Sequence, residues 1–176
     1  MKKFVLVLFV LILIVSCSRN NNYENISGRE LLNELDSKIY TTFNKPVDEL
    51  IKEEGKPDKI DTLKVANKHT GADDNIYSLE YDDYVLDVYH SVELDKYLLQ
   101  AVIFKSDDML EDYNISYGRQ KEDYEFLSSC KVQETGDEDK SEVIYAAGTD
   151  PGYESLFVFA YENNSLKQVK YSVPID

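Results

Sequence analysis

Ile76-Tyr77-Ser78-Leu79-Glu80-Tyr81, then Asp82-Asp83, then Tyr84-Val85-Leu86-Asp87-Val88-Tyr89, is the stretch that decides the fold. Apolar and polar residues alternate along the first run, so Tyr77, Leu79 and Tyr81 share one face of a strand. The paired aspartates between the runs have the short polar side chains that tight turns favour. The stretch predicts an antiparallel hairpin. A third run, Tyr97-Leu98-Leu99-Gln100-Ala101-Val102-Ile103-Phe104, is the most apolar and is expected to be the most buried strand.

Upstream of the hairpin the period changes to that of a helix. Ser27-Gly28-Arg29-Glu30 fits a capping box, in which Ser27 accepts from a free backbone N–H and Glu30 reaches back. Leu31, Leu32, Leu35, Ile39 and Phe43 follow at helical spacing. A second helix is expected from near Asn44, with Pro46 in its first turn and Val47, Leu50 and Ile51 inward. Gly55 and Pro57 stop it, and a polar loop containing Thr70-Gly71-Ala72-Asp73-Asp74 leads into the hairpin.

Downstream the order recurs. Ile115-Ser116-Tyr117-Gly118 opens an expected helix with Tyr124, Phe126 and Leu127 as core positions. Val143-Ile144-Tyr145-Ala146 reads as a strand and Thr149-Asp150-Pro151-Gly152 as a turn. Leu156 to Tyr161 is a second strand, with Leu156, Val158 and Ala160 on one face, and Asn163-Asn164-Ser165 turns the chain into Leu166 to Val173. Asn75-Ile76-Tyr77 resembles Val143-Ile144-Tyr145, and Leu99-Gln100-Ala101-Val102 resembles Leu166-Lys167-Gln168-Val169. The expected class is α+β: two tandem units of helix plus three-stranded antiparallel β-meander, at residues 27–110 and 111–176.

Ahead of the first helix, Lys2 and Lys3 precede an apolar run from Phe4 to Val15 that ends at Ser16-Cys17. A basic start, a run of about a dozen apolar residues and a small residue before the cut have the form of a secretory signal. A membrane-spanning helix needs ~20 apolar residues, so the run is too short to serve as one. Ile14-Val15-Ser16-Cys17 looks like a bacterial lipobox, whose cysteine takes a diacylglyceryl group and becomes the new N-terminus. The expectation is a lipoprotein signal peptide at 1–16 and a polar tether at 17–26 carrying lipidated Cys17, with several acyl chains giving stable anchoring. Ser18 rather than aspartate follows the cysteine. That resembles outer-membrane sorting in a two-membrane cell; in a one-membrane cell the protein would sit on the outer face of the plasma membrane.

The helix followed by Gly55-Lys56-Pro57-Asp58, the hairpin meander, and Ile115-Ser116-Tyr117-Gly118 opening another helical segment together resemble tandem repeats of the β-lactamase-inhibitor-protein and SmpA/OmlA (BamE) kind. The resemblance covers about residues 44 to 173 and implies small secreted or lipid-anchored α/β modules. Two departures stand out: Ser128-Ser129-Cys130 replaces the helix-ending Gly-x-Pro in the second half, and the inhibitor protein's disulfides cannot form. The resemblance therefore implies a fold and not a target.

Composition excludes several functions. Net charge is −15, and −17 without Lys2 and Lys3, whereas nucleic-acid binding relies on clustered lysine and arginine; no nucleic-acid partner is expected. With Cys17 lipidated, Cys130 has no intrachain partner and is expected as a buried structural thiol. His69 and His90 are the only histidines, and zinc spacing is absent. Asp73-Asp74, Asp82-Asp83, Asp107-Asp108 and Gly136-Asp137-Glu138-Asp139 lack the alternate spacing of a calcium loop and read as solvated turns. Neither a nucleophile elbow nor a P-loop is present. No metal, cofactor or catalytic residue is expected, and the protein is read as not an enzyme.

Tyrosine is the more suggestive residue, with fourteen copies and no tryptophan. Tyrosine gives large contact area at low entropic cost, and it also simply favours strands. Tyr77, Tyr81, Tyr84, Tyr89, Tyr153 and Tyr161 are the candidate binding surface, on a sheet face that helices leave open. The expected function is a lipid-anchored, non-catalytic envelope protein that binds another protein through that face. The alternative is an assembly accessory of the outer membrane.

Overall fold

The structure, a computed structural model, describes residues 27–67, 69–148 and 154–174. Cys17, the signal and tether segments, Tyr153 and the expected turn at Thr149-Asp150-Pro151-Gly152 lie outside the described residues.

The architecture is α+β: helices on one face of an eight-stranded antiparallel sheet. Helix α1 spans Gly28–Phe43 and α2 spans Val47–Glu54. The expected capping box closes α1. The Glu30 N–H donates to Ser27 Oγ at 3.3 Å and the Ser27 N–H donates to Glu30 Oε2 at 2.9 Å, which holds the Glu30 carboxyl below its ordinary pKa. Leu31, Leu32, Leu35, Ile39 and Phe43 are all buried, as their spacing predicts. Gly55, at φ +92°, ends α2 in a conformation that side chains disfavour.

Strands β1 (Lys59–Ala66), β2 (Asp73–Glu80), β3 (Tyr84–Ser91) and β4 (Lys96–Phe104) form one meander. Strands β5 (Lys131–Gly136), β6 (Lys140–Ala147), β7 (Ser155–Glu162) and β8 (Ser165–Ser172) form another. The two meet along β4 and β8, giving the order β1-β2-β3-β4-β8-β7-β6-β5. Strand β4, expected to be the most buried, is central, with Leu99, Ala101, Val102 and Phe104 buried, but β7 is buried more completely, with only Glu162 exposed where β4 exposes Lys96 and Leu98.

Each meander has four strands where the sequence predicts three. The additional strands, β1 and β5, are the two edges, and nearly all their residues are exposed. An edge strand with little burial on either face carries no one-sided alternation. Ile60 and Leu63 in β1 point to opposite faces, and Val132 is the sole large aliphatic of β5.

The expected second-half α-helix is instead a pair of 3₁₀ pieces within Lys121–Cys130, joined by a kink at Tyr124, whose φ of −104° and ψ of 17° are not helical. Beyond the kink, three residues per turn put Leu127 and Cys130 on one line; both are buried, as is Tyr124 at the kink itself. Phe126, expected in the core, lies off that line and is 37% exposed. Cys130 is a buried free thiol. Asn163 and Asn164 both take positive φ, as a two-residue hairpin turn matched to sheet twist requires.

One row of paired side chains crosses the covered face: Leu79, Leu86, Val102, Tyr171, Phe157 and Tyr145. All six are buried in the core that α1, α2 and the 3₁₀ segments close. Helix α1 reaches both meanders. The Phe43 ring lies 5.0 Å from that of Tyr84 in β3, and Asn33 Oδ1 accepts from the Gly148 N–H after β6 at 2.9 Å.

Candidate protein-binding face

Alternation along the strands sends the remaining side chains to the opposite face. Cross-strand pairing arranges them in rows. Leu63, Ile76, Tyr89 and Leu98 form one row across β1 to β4. Val85, Ile103, Lys170, Val158 and Ile144 form another across β3 to β6. Between them lie Asp87, Ala101, Ser172, Leu156 and Ala146. None of the described helices places a buried residue on this face, because every buried helical side chain belongs to the core on the other side. Leu63 is 62% exposed and Leu98 38%. Val92 and Leu94, in the turn after β3, add further exposed aliphatic surface.

The expected tyrosine surface is corrected by this geometry. Tyr81 is 8% exposed and Tyr161 3%. Tyr77 and Tyr84 pack against the core. Tyr77 and Tyr81 share a face with buried Leu79, as the alternation requires, but that face is the helix-covered one. Phe43, Tyr81 and Tyr84 make a ring cluster, with centroids 5.0 Å and 5.1 Å apart. Tyr161 lies edge-on to Tyr124 at 6.3 Å. Only Tyr89, among the described candidates, stands on the open face.

Tyr89 is held by a buried carboxylate. Its hydroxyl donates to Asp74 Oδ2. Asp74 also accepts from Asn67 Nδ2 at 2.8 Å and from the Val92 N–H at 2.9 Å. The Asp74 side chain is fully excluded from solvent. The Tyr89 hydrogen bond leads the causes that lower its pKa, and burial opposes them. This node folds the β1–β2 loop and the β3–β4 turn onto one corner of the open face, so the aliphatic row beside it keeps a fixed shape.

His90 points the other way and stacks on Tyr97, with centroids 4.0 Å apart and planes 2° from parallel. Among the described residues no three His, Cys, Asp or Glu side chains are gathered as a metal ion would need. No described helix is long and apolar enough to cross a membrane.

The aliphatic face escaped the sequence reading although a signal for it was there. Ile76 beside Tyr77, Val85 beside Leu86, Leu98 beside Leu99 and Ile103 beside Val102 are apolar at both parities. A strand apolar on both faces needs cover on both. No family model, curated protein or solved structure matches this chain.

Proposed function

We propose that this chain is a lipid-anchored, non-catalytic envelope protein that binds another protein on the bare face of its sheet. One observation carries the reading: all described helices cover one face, and the other carries the row Leu63, Ile76, Tyr89 and Leu98 and the aliphatics Val85, Ile103, Val158 and Ile144, with Asp87, Lys170 and Ser172 interspersed among them. The occupant is a folded protein with an apolar centre and a basic rim. A chain of net charge −15 attracts such a surface and repels an acidic one. The lipobox-like Ile14-Val15-Ser16-Cys17 supports anchoring through Cys17. The mirrored order of the two four-stranded meanders supports tandem units of the β-lactamase-inhibitor-protein and SmpA/OmlA (BamE) kind.

The test is photo-crosslinking in intact envelopes from positions 63, 98 and 158, compared with positions 40 and 52 on the helical side. A discrete adduct with one basic protein, formed only from the sheet positions and lost in a Leu63→Lys/Leu98→Lys variant, is expected. Equal labelling from both sides would overturn the reading. Cys17→Ala is expected to release the protein from the membrane fraction.

A further inference from the structure

We propose that strand β1 pairs edge to edge with the same strand of a second copy of this chain, joining two eight-stranded sheets into one. The pairing is independent of the partner proposed for the sheet face.

An edge strand offers unpaired backbone groups to any strand that can reach it. The Asn67 N–H donates to Ala72 O at 2.8 Å, in register with the β1–β2 ladder. Hydrogen-bonded pairs alternate along such a ladder, so Lys59, Asp61, Leu63 and Val65 turn their backbone groups toward β2. Those of Ile60, Thr62, Lys64 and Ala66 point outward. Short length, bulges and proline are the usual protection of an edge. Strand β5 has two of these, with six residues and a register shift between Lys131 and Gln133. Strand β1 has none: its eight residues are all in register with β2, and all but Val65 are exposed.

The residues of β1 complement themselves. A second copy related by a dyad normal to the sheet runs antiparallel with the same faces up, so the dyad must pass through a residue position. Centred on Leu63, it sets Leu63 against Leu63, Asp61 against Val65, Thr62 against Lys64 and Ile60 against Ala66. Centring it on Lys64 or on Asp61 would oppose like charges, and centring it on Thr62 would set Leu63 against Asp61. In the Leu63 register the outward groups of one copy meet those of the other and make about eight backbone hydrogen bonds. The row Leu63, Ile76, Tyr89 and Leu98 then runs unbroken into the same row of the second copy.

Charge permits the approach. The chain carries −15, but β1 holds two lysines and one aspartate, and Lys59 Nζ donates to the Asp61 carboxylate along the strand. Charges elsewhere on the two copies are screened beyond about 8 Å at physiological salt. One strand pair buries less than the ~1,200 Å² of a stable complex. The pairing is therefore weak in dilute solution and forms where copies are held close together.

The experiment is oxidative disulfide trapping of the full chain in detergent micelles, with the natural chain as the background for Cys17 and Cys130. A pair of this kind at the dyad brings Cα atoms to ~4.5 Å, within disulfide reach. Leu63→Cys is expected to give a covalent dimer well above the natural chain. Asp61→Cys and Val65→Cys are each expected to stay at the natural level alone and to form the dimer when mixed. Thr62→Pro removes an outward N–H and no β1–β2 hydrogen bond. Added to Leu63→Cys, it should return the dimer to the natural level with circular dichroism unchanged. Equal trapping from all three single substitutions, or none from Leu63→Cys, overturns the pairing. Trapping that survives Thr62→Pro in a folded chain overturns the backbone ladder. The three cysteine variants decide the matter even where proline disturbs the fold. Crosslinks from positions 98 and 158, which lie away from β1, report on the sheet face whichever way this test falls.

Discussion

The Tyr171 hydroxyl donates to Asp36 Oδ1 at 2.8 Å, tying the first helix to the last strand across 135 residues. Ser155 Oγ lies 3.0 Å from the same hydroxyl. Tyr171 has no solvent exposure, and burial leads the causes that push its pKa up. Tyr171→Phe keeps the ring and removes the tie. Its expected cost is about 1–3 kcal/mol in urea unfolding, because a hydrogen bond to a charged group is lost and Ser155 is left underused.

Gly28 marks the closest approach between α1 and the 3₁₀ segment. A Cβ there would stand 2.0 Å from Phe126 O and 2.8 Å from Phe126 C. Both are backbone atoms, so a rotamer change offers no relief. Gly28→Ala is expected to destabilise by about 1–3 kcal/mol, the usual range for overpacking, despite alanine's better helix propensity. A thermal melt checks it, and an unchanged midpoint would contradict the contact.

The tyrosines divide sharply by face. Tyr161→Ala empties a core position that is 3% exposed and is expected to cost about 3–5 kcal/mol, as truncation of a buried aromatic does. Leu63→Lys, on the open face, is expected to change stability by no more than ~0.5 kcal/mol. Denaturant midpoints measured side by side should separate the two. A costly Leu63 substitution would mean that the face is covered.

Asp74 gives the protein an acid-sensitive corner. Its folded pKa lies below the ordinary 3.8, held there first by the Tyr89 hydroxyl. Its contribution to stability is therefore complete above the unfolded pKa and is lost as pH falls through the lower folded one. Urea midpoints taken between about pH 5 and about pH 2 should fall more steeply for the natural chain than for Asp74→Asn. Parallel slopes would show that the node does not titrate with folding.

Local pattern made much of the fold legible, and partnership hid the rest. Leu31 to Phe43, the Ser27-Glu30 cap and the three inner strands of each meander could be read because burial on one side imprints a period on the sequence. Strands β1 and β5 could not, because exposed edges impose none. The 3₁₀ segment presents a period of three, close enough to an α-helix to be mistaken for one, and Phe126 is where the two assignments part. At the candidate site, alternation correctly grouped Tyr77 with Leu79 and Tyr81. It could not say which face the helices take. That choice depends on α1 and on partners such as Gly148 and Tyr171, more than a hundred residues away.

The position of α1 also bears on the order of assembly. The first meander zips from neighbours in sequence, β1 to β2 to β3 to β4, and can close while the rest of the chain is still being made. The helix that precedes it cannot finish docking then, since the Gly148 N–H and the Tyr171 hydroxyl belong to segments synthesised last. During synthesis, a half-made chain therefore carries Leu31, Leu35 and Ile39 with their permanent neighbours still to come. A nascent chain stalled before β6 is a natural client for a holding chaperone, and release of the final strand is the event that ends that dependence.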